Sequence, residues 1–125
     1  MLYYISGPIA FIPNKNKEAF DKASKELSAL DIPYVNPLDL DEVDPLPFSD
    51  NNTDEKYLNL LKRDITYLMT CDGVVVLPGW EGSRGASLEV LIALKLDMPS
   101  LYFSFLPFSS SPFTNICFAC AACAS

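Results

Sequence analysis

The five residues Gly73 to Leu77, GVVVL, constrain this chain more than any other segment. An unbroken β-branched run with no polar alternation is what a strand covered on both faces looks like, and such strands belong to parallel sheets flanked by helices. The segments around it agree. Leu2 to Ser6 is a short β-branched and aromatic run closed by Gly7-Pro8, the pattern of a buried strand that ends in a turn. Phe20, Ala23, Leu27 and Leu30 recur at helical spacing, so a helix is expected from Asn14 or Asn16, with that Asn as its cap, to Leu30. Pro33 to Asn36 reads as a second strand. Pro37 to Asn52, rich in proline and acids, reads as a long functional loop.

Thr53 is expected to cap the next helix, with Asp54 and Glu55 where negative charge meets the positive end of the helix dipole. Tyr57, Leu61, Ile65 and Leu68 form its buried stripe. After a loop from Pro78 to Arg84, Ala86 to Leu96 reads as a helix with Leu88, Leu91, Ile92 and Lys95 at turn spacing, and Leu101 to Phe105 is a last strand. Strands that alternate with helices predict an α/β fold: a three-layer, doubly wound sandwich of Rossmann or flavodoxin type, with a mostly parallel sheet of four to five strands.

A chain of 125 residues suits one domain, placed at residues 1–106, followed by a tail at 107–125; no charged residue occurs after Asp97. The net charge of -7 repels a phosphate backbone, so no nucleic-acid partner is expected, although a single nucleotide in a local pocket is allowed. No histidine is present, which removes the commonest general base and metal ligand and leaves carboxylates, tyrosine and cysteine for chemistry. Met1 is followed by LYYIS with no basic leader, so a cytoplasmic protein with reduced thiols is expected. No membrane span is expected, because Pro107, Pro112 and a serine run interrupt the apolar tail. Cys117, Cys120 and Cys123 have iron–sulfur spacing, with Cys71 as a conceivable fourth ligand, but the tail has no flanking scaffold. It reads instead as a packing segment, an oligomer contact or a diverged tail, and no cofactor or metal is expected.

Ligands of doubly wound folds sit at the carboxyl ends of the strands, which here means Ser6-Gly7-Pro8-Ile9 and Pro78-Gly79-Trp80. Gly79, Gly82 and Gly85 let the backbone approach a ligand, and the helix that follows offers free N–H groups to an anion, with Ser83 and Arg84 as added donors. Spacing alone is equally compatible with a plain tight turn. Glu89 lies about one turn into that helix among Leu88, Val90, Leu91 and Ile92. Asp64 interrupts the stripe of Leu61, Ile65 and Leu68. Most helix acids are solvated, but an acid on the margin of a buried face needs a partner or a purpose. Asp72, just before GVVVL, reads as a turn closer, and Tyr4 by itself reads as packing.

Tyr4-Ile5-Ser6-Gly7, then Asp64 with Asp72 eight residues on, the apolar strand, the glycine loop and Glu89 together resemble the nucleoside 2-deoxyribosyltransferase superfamily. That superfamily includes the 2'-deoxynucleoside 5'-phosphate N-hydrolases. YISGPI and LPGWEGSRGASLE resemble a family of small bacterial and phage proteins placed beside those enzymes. The resemblance covers roughly residues 2 to 105 and implies a glutamate nucleophile at Glu89, an aspartate assisting the leaving base at Asp64, and a tyrosine orienting the nucleophile at Tyr4. It also implies a small-molecule deoxynucleotide or nucleoside as substrate. A serine six residues before the nucleophile resembles the phosphate-requiring hydrolases, and Ser83 holds that place. In related hydrolases the last segment completes a neighbouring subunit's site, so a homodimer or higher oligomer is implied, with Ser109 to Ser111 in that role.

Two departures stand out. The relatives carry glycine two residues before and after the nucleophile, where this chain has Ser87 and Leu91, and bulk there would narrow the sugar pocket. The acidic segment 37–52 has no counterpart in them. A non-catalytic nucleotide-binding module on the same fold is therefore the alternative reading.

Overall fold

The computed structural model describes residues 1–9, 12–45, 53–103 and 116–118. Five strands form one sheet in the order β2-β1-β3-β4-β5: β1 (Tyr3–Ser6), β2 (Tyr34–Val35), β3 (Gly73–Val76), β4 (Ser100–Phe103) and β5 (Ile116–Phe118). The first four run parallel, and β5 joins β4 antiparallel. This is the expected α/β doubly wound sandwich. Strand β5, from the last segment of the chain, packs along β4 and covers the edge that β4 would otherwise present to solvent.

The pleat sorts side chains into two cores. Tyr3 and Ile5 of β1 join Val75, Leu77, Leu101 and Phe103 beneath α1 (Lys17–Ala29), which contributes Phe20, Ala23 and Leu27. Tyr4 joins Val74 and Val76 on the opposite face, with Leu68 of α3 (Thr53–Met69) and Val90 and Ala93 of α4 (Arg84–Lys95). GVVVL is thus buried from both sides, as its lack of alternation requires. At the foot of the sheet Asp72 accepts a hydrogen bond from the Leu2 backbone N–H at 2.8 Å, closing the turn before β3.

Two local expectations need correcting, and the burial of α4 adds a third detail. Pro37 to Val43 is a helix, α2, and not part of a loop. Asn36 accepts the Leu38 N–H at 3.0 Å and Pro37 occupies the first turn, so the Asn-Pro pair is a start signal. Residues 46–52, the rest of the expected loop, lie outside the described residues, as do Ser109 to Ser111 and Cys120 and Cys123. Asn16 does not cap α1 through its side chain. Asn14, Lys15 and Asn16 are successive left-handed residues with φ of 54°, 55° and 58°, and the Asn16 side chain donates to the Pro8 carbonyl at 2.9 Å. Finally, α4 buries Ala86, Glu89, Val90 and Ala93, while Leu88 and Leu91 are exposed. Its alanines give a narrow inner face that lies close to the sheet, and its carboxylate is part of that face. No helix among the described residues is long and apolar enough to cross a membrane.

Candidate active site

The strand order places β2 on one side of β1 and β3 on the other, so the chain reverses direction of winding between β1 and β3. Crevices form at such switch points, outside the carboxyl ends of the strands. A cleft of about 390 Å³ opens there, a size suited to a small organic ligand.

Its floor is built by β1 and α4. Tyr4 and Ser6 alternate onto the same face of β1 and point at Glu89, one turn into α4. The Tyr4 hydroxyl donates to Glu89 Oε2 at 2.5 Å, and the Ser6 hydroxyl donates to Oε1 at 2.9 Å. Each carboxylate oxygen thus has its own donor. Tyr4 and Ser6 are essentially inaccessible and Glu89 is 6% exposed, yet Glu89 lines the cleft. Burial pushes its carboxyl up to about 7; the Tyr4 and Ser6 hydrogen bonds pull the other way, and the nearby Asp64 charge adds to the rise. Burial also raises the Tyr4 phenol well above its ordinary value, assisted by Glu89 and Asp64, so Tyr4 stays a donor.

The wall opposite comes from α3. Tyr57, Leu61 and Asp64 follow one another down a single helical stripe and all line the cleft. The apolar stripe read from the sequence is therefore buried fully only at Leu68; Tyr57, Leu61 and Ile65 are half-buried, the first two because they face the cleft. Burial raises the Asp64 carboxyl to about 6, against the pull of the Arg63 guanidinium, while Asp41 reinforces the rise. Gly7, Ile9, Ile12, Lys15, Pro37, Leu38 and Asp41 complete the third side.

The mouth lies at the start of α4. Ser83 is the N-cap: its hydroxyl accepts the Ala86 N–H at 3.2 Å, which leaves its own hydrogen to donate elsewhere. Gly85 lines the cleft at the point where α4 meets α3, and a Cβ there would come within 3.2 Å of the Tyr57 hydroxyl and 3.5 Å of Leu61 Cδ1.

Of the residues singled out from the sequence, the structure brings Tyr4, Gly7, Ile9, Asp64, Ser83, Gly85 and Glu89 to the cleft, with Ser6 directly beneath it. Arg84 borders it, its guanidinium 5.4 Å from the centre of the cleft-lining Tyr57 ring. Pro8, Gly79 and Trp80 are not among the lining residues. Gly79, in a left-handed turn with φ of 86°, packs near Pro8, and Trp80 lies against the core on the α4 side, its ring 6.3 Å from that of Tyr102. Ser87 and Leu91 do not line the cleft either, so the bulk at those places does not narrow it. Leu91 is exposed, and the Ser87 hydroxyl donates to the Arg84 carbonyl of its own helix.

Arg63, Asp41 and Lys15 also line the cleft, and no motif in the sequence marks them. Asp41 lies on α2, a segment whose proline and acids resemble loop chemistry. Arg63, beside Lys62, looks like part of a solvated face, but it falls one turn after Leu60 and one turn before Tyr67, on the half-buried margin. Among the described residues no cluster of metal-ligating side chains occurs.

No curated protein matches the chain. Among solved structures it is similar to the 2-deoxyribosyltransferase from the psychrotolerant bacterium Bacillus psychrosaccharolyticus, with a TM-score of 0.64 and 17% identity, over 90% of this chain and 79% of that one. At such identity the likeness is one of fold, and it is the fold implied by the resemblance in the Tyr4, Asp64 and Glu89 motifs. A family model described as a domain of unknown function, DUF4406, matches residues 1–102, and the chain belongs to that family.

Proposed function

We propose that this chain cleaves the N-glycosidic bond of a 2'-deoxynucleoside 5'-monophosphate, passing the deoxyribosyl group to water or to a second base, with Glu89 as nucleophile. The observation that carries this reading is the carboxylate held at the cleft floor by one hydroxyl on each oxygen, Tyr4 on Oε2 and Ser6 on Oε1. A glutamate so fixed is aimed, and its ionised form, which burial makes harder to reach, is the more nucleophilic for being poorly solvated. One Glu89 oxygen attacks the anomeric carbon as the C1'–N bond breaks, and the bonding pair leaves with the base. Asp64, whose carboxyl burial raises, acts from the form in which it, and not Glu89, holds the proton the two neighbouring acids share, and delivers it to the departing nitrogen. Water or a second base then attacks the same carbon, returns a proton to Asp64 and frees Glu89.

The 5'-phosphate goes to the mouth. There the free hydrogen of the Ser83 hydroxyl, the first N–H groups of α4 and Arg84 offer donors to an anion. We read the protein as a homodimer in the cytoplasm, a reading supported for the dimer by the apolar side chains Leu88 and Leu91 that α4 leaves exposed.

The test is incubation with each deoxynucleoside 5'-monophosphate and chromatography for free base. Base release that is abolished in Glu89→Ala is the expected result. Saturable nucleotide binding without release, unchanged by Glu89→Ala, would overturn the enzymatic reading in favour of a binding module.

A further inference from the structure

Arg63 is a charged side chain only 7% exposed, on a helix whose other cations face solvent. A guanidinium is taken out of water only where its nitrogens find acceptors, and all three nitrogens of Arg63 do. Its Nε and one terminal nitrogen both donate to the same oxygen of Asp64, Oδ1, at 3.0 Å each. That terminal nitrogen also donates to Asp41 Oδ1 at 3.1 Å, and the other one donates to the Asp44 carbonyl at 3.3 Å. The fork thus ties α3 to α2.

The choice of oxygen has a chemical consequence. Oδ1 receives two N–H donors, so its lone pairs are occupied and a proton there would face the guanidinium hydrogens. A protonated Asp64 must therefore carry its hydrogen on Oδ2. We infer that Arg63, braced by Asp41, is the positioning residue of the cleft acid: it holds Asp64 Oδ1 as an acceptor and leaves Oδ2 as the oxygen that carries and releases the proton. The groups that set this acid surround it on every side. Arg63 and Asp41 act directly, and Lys15 lies 3.6 Å from the other oxygen of Asp41. The Tyr67 hydroxyl donates to Asp44 at 3.1 Å, and Glu89 and Tyr4 lie across the cleft.

The inference rests on the proposed glycosidase reading only for what the released proton does, and two readouts separate the two. The first needs no turnover: carboxyl carbon NMR of aspartate-labelled protein, following Asp64 through a pH titration. Arg63→Gln removes the cation and shifts the Asp64 midpoint upward, on the order of one to three pH units. Asp41→Asn removes a neighbouring acid and frees the fork for Asp64 alone, so the midpoint shifts downward. Asp41 has a 40% exposed side chain, so this variant keeps the test open should Arg63→Gln not fold. A midpoint unmoved by either substitution overturns the inference, whatever the protein does to nucleotides.

The second readout compares leaving groups. A 2-deoxyribosyl 5-phosphate bearing 4-nitrophenolate needs no proton to depart, whereas a natural base does. Arg63→Gln is expected to lose about 100-fold in kcat on the natural nucleotide and less than about threefold on the nitrophenyl compound. Equal losses on both would mean that Arg63 merely supports the fold, and would overturn the assignment. If the wild type releases neither base nor nitrophenol, the glycosidase reading fails, and the NMR titration still decides the role of Arg63.

Discussion

Burial and hydrogen bonding act on Glu89 in opposite directions, and burial prevails. The carboxyl titrates at about 7 in the fold against an ordinary 4.5, and Asp64 at about 6 against 3.8. Both native pKa values are raised, so between the unfolded and the folded value the native state holds a proton that the unfolded chain has lost. Stability therefore falls as pH rises from 4.5 to about 7 on account of Glu89, and is flat beyond. Glu89→Gln removes that penalty. It is expected to raise the melting temperature by several degrees at pH 8, on the order of 2–3 kcal/mol at most, and to have little effect at pH 5. Thermal melts of both proteins at the two pH values check this; an equal shift at both would show that Glu89 is not the titrating group. A stability cost of this kind is what the proposed nucleophile role would account for.

Ser83 caps α4, and substitution can separate that cap from the phosphate contact proposed for the same hydroxyl. Ser83→Ala removes the cap and is expected to cost about 1 kcal/mol of stability, read as a lower melting temperature, together with weaker binding of 5'-monophosphates. Ser83→Asp restores the cap, because aspartate accepts the Ala86 N–H equally well, but its charge repels a phosphate. Recovered stability with a preference moved from nucleotide to nucleoside is the expected outcome. An unchanged KM for the monophosphate in both variants would place the phosphate elsewhere. At this scale the sequence was readable where periodicity was unambiguous. β1, β3, α1 and α3 emerge from their patterns to within a few residues, and Tyr4, Asp64 and Glu89 do meet in one cleft. Helix α2 was not readable, because its seven residues are too short to show a period and its acids and flanking prolines look like loop chemistry. Its loss concealed Asp41, and with it the reason why Arg63 can be buried.

For the whole molecule, the surface of α4 is the feature that composition could not foretell. Leu88 and Leu91 lie at helical spacing, but the sheet is met by Ala86, Val90 and Ala93. Two apolar residues at this spacing on an outer face suit a second copy of the chain. Leu91→Glu, at a position that is 48% exposed, is expected to leave the fold intact and to shift sedimentation from dimer to monomer. A wild type that sediments as a monomer at all concentrations would remove the dimer from the reading.

The alternation of β1 has one more consequence. Tyr3 and Ile5 anchor one core while Tyr4 and Ser6 hold Glu89 from the other face, and β1 pairs residue for residue with β3 from Tyr3 opposite Gly73 to Ser6 opposite Val76. Deleting or inserting one residue in this strand would turn the site tyrosine and serine into the α1 core and bring packing residues to the carboxylate. Descendants of this chain can drift at the cleft walls, where α2 and α3 supply side chains singly. At β1 they inherit the core and the carboxylate clamp as one reading frame, to be kept or lost together.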